Sequence, residues 1–346
     1  MITNPTGASN DPFVAPFGAL FGDQMTKAVL VDGEYTYSGS AEPLAALSLH
    51  PATHVLHYGS ACFEGMKAHR QADGSLAIFR LDDHVERMRQ SIGKLRITVP
   101  DAALIRQVII DAVEANASFA PDAPGSLYIR PTFIGTLENI GAAASPSSTG
   151  LLYVICSPVG DYFAGGVRPL TLYVETTVPR TTPQFGMVKS GANYVMALGP
   201  TLDAKAEHGA DQVLFANHDD ITETGAANFF LVEDGRLITR QLDESFLHGV
   251  TRNSVIAMAN TLGYEVEERA ITIAELTEWA GRGEMFLSGT AAVLAPVGTL
   301  VVGSDGPVTV GDGQPGANTL KLREALTNLL NGKSEDPFSW LTPVQG

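Results

Sequence analysis

Apolar residues in the first half of the chain alternate between two spacings, that of a buried strand and that of an amphipathic helix. Short apolar runs at 75–79, 126–133 and 150–156 predict buried strands. Apolar residues at 81, 85, 88 and 92 predict one face of a helix over 81–93, and 102–115 has the same character. Because alternating strands and helices pack as layers, this pattern predicts an α/β first domain.

A second domain is expected because the chain has 346 residues, of which 45% are hydrophobic, more than one core usually accommodates. Residues 157–188 are rich in Pro, Gly and Thr, which favours a boundary there. The predicted segments are an irregular arm (1–24), a small α/β domain (25–165), an interdomain connection (166–188) and a larger domain (189–346). The larger domain is expected to contain helices near 194–207, 252–262 and 317–331, and strands near 212–216 and 227–232.

Charge and cysteine content exclude several functions. The formal net charge of −16 argues against nucleic acid as a partner, because such binding needs a basic surface. The longest uncharged stretch, 139–160, contains prolines and serines and is too broken to cross a membrane, so no membrane partner is expected. Cys62 and Cys156 lie far apart, which indicates no disulfide framework and a cytoplasmic location.

Lys189 is the only charged residue between Arg180 and Asp203. An amine among apolar groups is costly to charge, and a neutral amine can attack an aldehyde and carry a proton. The alternative is that its apolar stem packs while the amine reaches water. The residues alone leave both interpretations open.

Three other segments could bind charged groups. Glu223, at the edge of an apolar strand, is either a solvated turn acid or a buried carboxylate facing a cation such as a pyridinium nitrogen. Residues 247–253 lead into a helix, where Gly249 permits close backbone approach and Thr251 can cap the helix; the segment is either an anion site or an ordinary N-cap. The small-residue turn around Thr290 suits phosphate or carboxylate, or simply packs tightly.

A metal site is not expected. His50, His54 and His57 have a spacing similar to that of helical metal ligands, but Pro51 interrupts the pattern and the general-base Glu of a zinc hydrolase is missing.

Taken together and in this order, the segments resemble the branched-chain amino-acid aminotransferases, which belong to class IV (fold type IV) of the pyridoxal-phosphate enzymes. The resemblance covers nearly the whole chain after about residue 21. The segments that carry it are Leu49–Gly59, Phe63–Ala68, Phe79–Met88, Tyr128–Pro131, Cys156–Phe163, Lys189–Tyr194, Glu223–Phe230, Gly249–Arg252, Ser288–Ala292 and Glu335–Trp340. It implies a two-domain α+β-type fold with a smaller N-terminal α/β domain, a larger C-terminal pseudo-barrel and the cofactor between them.

The resemblance also implies a reaction and its residues. Branched-chain L-amino acids would transfer their amino group to 2-oxoglutarate on pyridoxal 5'-phosphate, in branched-chain amino-acid biosynthesis and in a homodimer. Lys189 would be the catalytic residue that holds the cofactor aldehyde and shuttles the proton. Glu223 would face the pyridine nitrogen, Tyr194 the phenolic oxygen and Arg87 the phosphate. The other implied cofactor residues are Thr224, Gly225, Asn228, Leu247, Gly249, Val250, Thr251 and Thr290.

The implied substrate-binding residues are Tyr58, Phe63, Gly65, Tyr128, Arg130, Thr290, Ala291 and Ala292. Arg130 could also receive the second carboxylate of glutamate. Ala192 replaces a glycine usual in the family and fits only if its φ is negative. The loop Arg180–Gly186, which in the family closes over the substrate, lacks a usual tryptophan and is slightly shortened, while Ala226 and His248 replace a usual Thr and Pro. These changes bear on substrate preference.

Two alternatives stay open at this point. The same fold and cofactor could serve a D-amino acid, an amine or an aminodeoxychorismate-lyase-type reaction. A catalytically inactive homologue with a binding role is the other alternative, against which the joint presence of Lys189, Glu223 and Arg87 argues.

Overall fold

The computed structural model describes residues 4, 7, 9–163, 166–303 and 306–345. Its strands are β1 (Gln24–Val31), β2 (Glu34–Tyr37), β3 (Glu42–Pro43), β4 (Ala61–Phe63), β5 (Met66–Arg70), β6 (Leu76–Phe79), β7 (Ser126–Gly135), β8 (Gly150–Val159), β9 (Leu170–Glu175), β10 (Gln212–Asn217), β11 (Asp220–Thr224), β12 (Asn228–Glu233), β13 (Arg236–Thr239), β14 (Glu265–Glu268), β15 (Glu284–Gly289), β16 (Val293–Val302), β17 (Pro307–Thr309) and β18 (Leu341–Val344). Its helices are α1 (His54–Tyr58), α2 (Leu81–Lys94), α3 (Ala102–Ala115), α4 (Gly191–His208), α5 (Val250–Thr261), α6 (Ile273–Ala280) and α7 (Ala317–Leu330), with a 3₁₀ turn at Ala117–Phe119. No helix within these described ranges is long and apolar enough to span a membrane.

The chain forms two compact units. Unit 1 comprises Met1–Ala164, Val188–Gly191 and Leu329–Gly346, and unit 2 comprises Gly165–Met187 and Ala192–Asn328. Lys189 therefore belongs to unit 1, while most of α4, the helix that follows it, belongs to unit 2.

Unit 1 is built on one antiparallel sheet in the order β18-β6-β5-β7-β8-β1-β2, with β3 beside β1 and β4 beside β7. Helices α2 and α3 bury their apolar faces in its core. All four apolar positions predicted for α2 (Leu81, Val85, Met88 and Ile92) are buried there, so the helical spacing is confirmed.

The hairpin between β1 and β2 shows how local residues determine register. Asp32 and Gly33 both have positive φ, 50° and 83°, and the flanking Val31 and Glu34 are paired. Two such residues form the tight turn whose twist matches that of the strands, which is why Asp-Gly favours it.

Unit 2 contains a closed barrel. The order β11-β10-β9-β16-β15-β12 is closed by a further pairing of β11 with β12 at Glu223 and Asn228. Strands β13 and β14 extend the sheet beyond β12. The ring contains both parallel pairs (β9–β10, β9–β16) and antiparallel pairs. The implied pseudo-barrel is thus present, and its closure brings the two ends of the Glu223–Asn228 turn together.

Three details differ from the sequence analysis. The segment 166–187, assigned to a connection, contains β9 and lies in unit 2, because its alternating apolar residues pair with β10 and β16. The segment Leu329–Gly346 joins unit 1, because β18 pairs with β6. The layered first domain has an antiparallel sheet, which places it in the α+β type. Of the predicted arm, residues 1–3, 5, 6 and 8 lie outside the described residues, as do 164, 165, 304, 305 and 346 of the predicted domains.

Candidate active site

Lys189 is held by its backbone in unit 1. Its carbonyl accepts a hydrogen bond from Phe63 N at 2.9 Å, and its N–H donates to Ser91 Oγ at 3.3 Å. The side chain is half-buried, and Nζ lies 5.3 Å from the centre of the Phe63 ring. These contacts fix where the side chain starts and place the amine beside an apolar ring, which limits its contact with water.

Arg87 lies in the same unit with its guanidinium buried against Glu64. Its Nε donates to Glu64 Oε1 at 2.7 Å and its Nη2 to Oε2 at 2.8 Å, a bidentate pair. His84, one turn earlier on α2, contacts Oε2 through Nδ1 at 2.7 Å. We call Phe63, Glu64, His84, Arg87, Ser91 and Lys189 the lysine cluster.

Burial and neighbouring charges shift the pKa values of Glu64 and His84 in this cluster. Burial by itself raises the pKa of the Glu64 carboxyl, but Arg87 and His84 outweigh it and hold that pKa well below its usual range. Burial also lowers the pKa of His84, against the opposing effect of Glu64. At neutral pH the cluster therefore holds an ionised Glu64 and a neutral His84, whose Nδ1 we assign as the protonated nitrogen because it faces a carboxylate.

Three of the predicted substrate residues meet beside this cluster. The guanidinium of Arg130 lies over the rings of Phe63 and Tyr128, at 4.7 and 5.2 Å, and its Nη2 donates to Tyr128 Oη at 2.8 Å. A Cβ on Gly65 would lie 2.0 Å from Tyr128 Oη, so only glycine allows that approach. Within the described residues, Arg130 has no carboxylate partner, which leaves a half-buried cation able to receive an anion.

Tyr58 does not join this group. Its hydroxyl donates to the Ile140 carbonyl, its ring contacts are with His54 and His57, and it is 36% exposed. These contacts do not test the prediction that Tyr58 binds substrate, which stays a prediction.

Glu223 is buried in the barrel of unit 2 and surrounded by donors. Leu247 N donates to Oε1 at 2.9 Å, and Asn228 Nδ2 donates to Oε2 at 3.2 Å and to the Leu247 carbonyl at 2.9 Å. The solvated-turn alternative is thus wrong. We use the name carboxylate cluster for Arg180, Tyr194, Glu223, Asn228 and Leu247.

Arg180 is the member of this cluster that the sequence analysis assigned only to a loop. It is 3% exposed, and its Nη1 lies 2.6 Å from Glu223 Oε1 at an angle outside that of a hydrogen bond, so the contact is an ion pair. Its Nη2 donates to the Gly225 carbonyl at 3.1 Å, and its guanidinium lies 5.7 Å from the centre of the Tyr194 ring. The turn itself is closed by Thr224, whose Oγ1 accepts from Ala227 N at 3.0 Å.

Asn228 also shapes the predicted anion turn. A Cβ on Gly249 would lie 2.0 Å from Asn228 Oδ1, so the glycine is required where α5 begins. Val250 and Thr251 form the buried first turn of α5. Their backbone N–H groups have no partner within the helix, which makes this end a suitable place for phosphate oxygens.

The turn Thr290–Ala292 ends in an unusual backbone conformation. Val293 has a φ of 62°, a left-handed value that is rare for a β-branched residue. Arg323, from α7, donates to the carbonyls on either side of it, those of Ala292 and Leu294. Strained residues of this kind occur mainly where the surrounding structure needs a particular geometry.

Two of the family departures can be placed. Ala192 lies in the first turn of α4, where φ is negative, so the condition for replacing the glycine is met. The loop before the lysine is fastened within unit 2 by Asn193, which accepts from Thr181 Oγ1 at 2.9 Å and donates to the Phe185 carbonyl at 3.0 Å.

The three spaced histidines have separate partners. His54 contacts Ser60 Oγ at 2.8 Å through Nδ1, and His57 contacts the Pro51 carbonyl at 2.8 Å. His50 contacts Ala52 N at 3.1 Å through Nδ1. Each has a local structural partner.

The family profile described as Amino-transferase class IV matches residues 61–300. The chain belongs to the class IV aminotransferases. This aminotransferase is 36% identical, over 96% of its own length and 95% of the relative's, to branched-chain-amino-acid transaminase 1 of Bacillus subtilis (strain 168). It is 35% identical to the branched-chain-amino-acid aminotransferase of Mycolicibacterium smegmatis, over 98% and 95% of the two chains.

Solved structures agree with this assignment. The branched-chain amino acid aminotransferase of Thermobaculum terrenum in its PLP form matches with a TM-score of 0.74 at 25% identity, over 93% of this chain and 98% of that one. The Escherichia coli enzyme matches with a TM-score of 0.73 at 27% identity, over 94% and 100%. The fold of this aminotransferase is therefore fold type IV.

Sequence reasoning about this aminotransferase missed Glu64, His84 and Arg180. Glu64 and His84 stood inside quoted motifs without a role, and Arg180 was seen as the last charge before an uncharged stretch. A charged residue between apolar neighbours was the available signal in Phe63-Glu64-Gly65, the same signal that drew attention to Lys189.

Proposed function

We propose that this chain is a pyridoxal 5'-phosphate-dependent aminotransferase that transfers the amino group of leucine, isoleucine and valine, as L-amino acids, to 2-oxoglutarate. The observation that carries the proposal is the joint presence of the two clusters: a lysine fixed by its backbone, and a buried carboxylate surrounded by donors. The relatives named branched-chain-amino-acid transaminases, similar over nearly the full chain, support the substrate class.

The residues fit the charged groups of that cofactor. Glu223, buried among donors in unit 2, suits a protonated ring nitrogen, with Tyr194 assigned to the phenolic oxygen. Arg87 in unit 1 is a guanidinium that suits a phosphate oxygen, and the first turn of α5 in unit 2 independently offers free N–H groups of the kind that phosphate prefers. Thr224, Gly225, Asn228, Leu247 and Thr290 complete the proposed cofactor set.

When bound, pyridoxal phosphate supplies an electron sink for negative charge that develops at the substrate Cα. Lys189 Nζ would hold the cofactor through its aldehyde group, and as a free amine it would accept and return the proton at the substrate Cα. Glu223 would favour a protonated ring nitrogen, because a buried carboxylate stabilises a positive charge beside it.

Arg130 and Tyr128 supply the proposed basis for accepting two kinds of substrate. A cation with no carboxylate partner among the described residues can receive the second carboxylate of glutamate, while the Phe63 ring presents an apolar wall to leucine, isoleucine and valine. The backbone turn Thr290–Ala292 in unit 2 is proposed to bind the α-carboxylate, and Tyr128 in unit 1 is proposed as a substrate-binding residue.

We also propose a homodimer in the cytoplasm. Helix α4 exposes an apolar side to water, with Val195 71%, Leu198 54% and Leu202 56% exposed. Apolar surface of this kind is usually covered by a partner. Both cysteines are free and buried, as is usual in a reducing compartment. Light scattering of the purified protein measures the mass in solution, and a monomer would contradict the dimer.

An amino-donor panel tests the function. With 2-oxoglutarate as acceptor, L-leucine, L-isoleucine and L-valine should each yield glutamate, while D-leucine and simple amines should not. Lys189→Ala should abolish both turnover and the visible absorbance of the lysine-bound cofactor. No glutamate from any of the three L-amino acids would refute the proposal, and activity on D-leucine would support the alternative substrate class.

A further inference from the structure

Glu64 is fully buried, and the proposed chemistry gives it no contact with a reacting atom. Its carboxylate accepts four hydrogen bonds: one from Arg87 Nε to Oε1, and three to Oε2, from Arg87 Nη2, His84 Nδ1 at 2.7 Å and Gly65 N at 3.1 Å. A buried carboxylate with four donors is a fixed point in the structure, because turning it would break several charge-assisted bonds at once.

The bidentate contact determines the orientation of the Arg87 side chain. Glu64 engages the edge of the guanidinium formed by Nε and Nη2. The group is planar and rigid, so holding this edge also fixes the plane and directs Nη1 away from Glu64. Without that contact, the long arginine side chain would have several orientations of similar energy.

The backbone of the same short segment reaches the other elements of unit 1. Phe63 N donates to the Lys189 carbonyl, and Glu64 N donates to the Pro131 carbonyl at 2.8 Å. His84 and Arg87, three residues apart on α2, both contact Glu64, which ties this helix to the end of β4. Lys189 and Arg87 are therefore attached to adjacent residues of one strand end.

We propose that Glu64 is a positioning residue for the cofactor phosphate, which holds the guanidinium of Arg87 in the orientation that receives the dianion, with His84 as a second support. This inference rests on the proposed function, in which Arg87 binds that phosphate. A purely structural role for Glu64 is the competing explanation, and it predicts equal effects on ligands with and without phosphate.

The experiment compares binding of pyridoxal 5'-phosphate and of pyridoxal to the apoenzyme, by calorimetry or absorbance titration. Glu64→Gln keeps the shape of the side chain and removes its charge. We expect the dissociation constant for pyridoxal 5'-phosphate to rise by about 10-fold to 100-fold, the range found when a residue that orients a metal ligand is removed, while that for pyridoxal changes by less than about 3-fold. Equal losses for the two ligands, or no loss for either, would overturn the proposal.

A matched control lies on the same helix. Glu86→Gln removes an exposed carboxylate next to Arg87 that pairs with Arg89, and it should bind both ligands as the unchanged protein does. If Glu64→Gln fails to fold, as judged by circular dichroism, the comparison is made with His84→Asn, which leaves the Glu64–Arg87 pair intact. A loss confined to the phosphorylated ligand supports the proposal, and an equal loss for both refutes it.

The unchanged protein separates this inference from the function on which it rests. If it binds neither ligand and Lys189→Ala changes no spectrum, the proposed function fails. If it binds pyridoxal 5'-phosphate far more tightly than pyridoxal but Glu64→Gln does not alter that preference, only the role of Glu64 fails.

Discussion

His69 should make unit 1 sensitive to mild acid. It is buried in β5, on the same side of the strand as Lys67, two residues earlier. Burial, together with the positive charge of Lys67, lowers its pKa to about 3. An unfolded chain leaves a histidine near its ordinary value of about 6.5. The unfolded state therefore binds more protons, and stability present above pH 6.5 is lost as pH falls towards 3.

The size of the effect follows from those two pKa values. At pH 5, protonation of this histidine stabilises the unfolded state by about 1.5 pKa units of free energy and the folded state by almost nothing. At pH 7 the unfolded state is already stabilised by about 0.1 unit. At about 1.36 kcal/mol per unit, the free energy of unfolding should fall by about 2 kcal/mol between pH 7 and pH 5. Carboxylates contribute little in this window, because their unfolded pKa values are near 4.

Urea unfolding at pH 7 and pH 5, followed by circular dichroism with saturating cofactor, measures this loss. His69→Gln is neutral at both values, so it should lose about 2 kcal/mol less than the unchanged protein between them. His84, whose pKa is also lowered by burial, is present in both proteins and cancels. His50→Gln, at an exposed position, serves as the control. Equal losses in the unchanged protein and in His69→Gln would refute the burial argument.

Three further perturbations test other parts of the structure. Glu223→Gln leaves the buried Arg180 without its counterion and should lower the free energy of unfolding by about 3–5 kcal/mol. The double variant Glu223→Gln with Arg180→Met should be less destabilised. Equal destabilisation of the two variants in urea melts would contradict a buried ion pair. Val293→Gly should change the free energy of unfolding by less than about 1 kcal/mol, because about 1–3 kcal/mol of relieved backbone strain offsets the added chain entropy and the lost packing of a half-buried side chain. A loss of more than about 2 kcal/mol would show that Val293 is unstrained. Trp340→Ala removes a ring that stacks on Phe338 and lies 4.8 Å from the Arg80 guanidinium. It should lower the free energy of unfolding by about 2 kcal/mol and speed proteolysis of the C-terminal segment. An unchanged digestion pattern would contradict this.

Local features could be predicted because they depend on residues near one another in the chain. The apolar face of α2 recurs every three or four residues, α3 begins and ends at the predicted Ala102 and Ala115, and the Asp32-Gly33 turn depends on two adjacent residues. An isolated lysine in an apolar stretch is likewise visible without a structure. The family resemblance then supplied roles for Lys189 and Glu223 that spacing alone left open.

Pairings between distant segments were decided only by the tertiary structure. Such pairings have no periodic signature in the sequence, because they depend on how whole elements pack. Examples are the β11–β12 contact that closes the barrel, the pairing of β18 with β6 in unit 1, and the Glu64–Arg87 pair across 23 positions. A charged residue shows in the sequence that it needs a partner if it is buried, but not which opposite charge the fold brings to it. Arg180 beside Glu223 is the clearest case: its sequence context indicated a loop, and only the closed barrel made it the counterion of the buried acid.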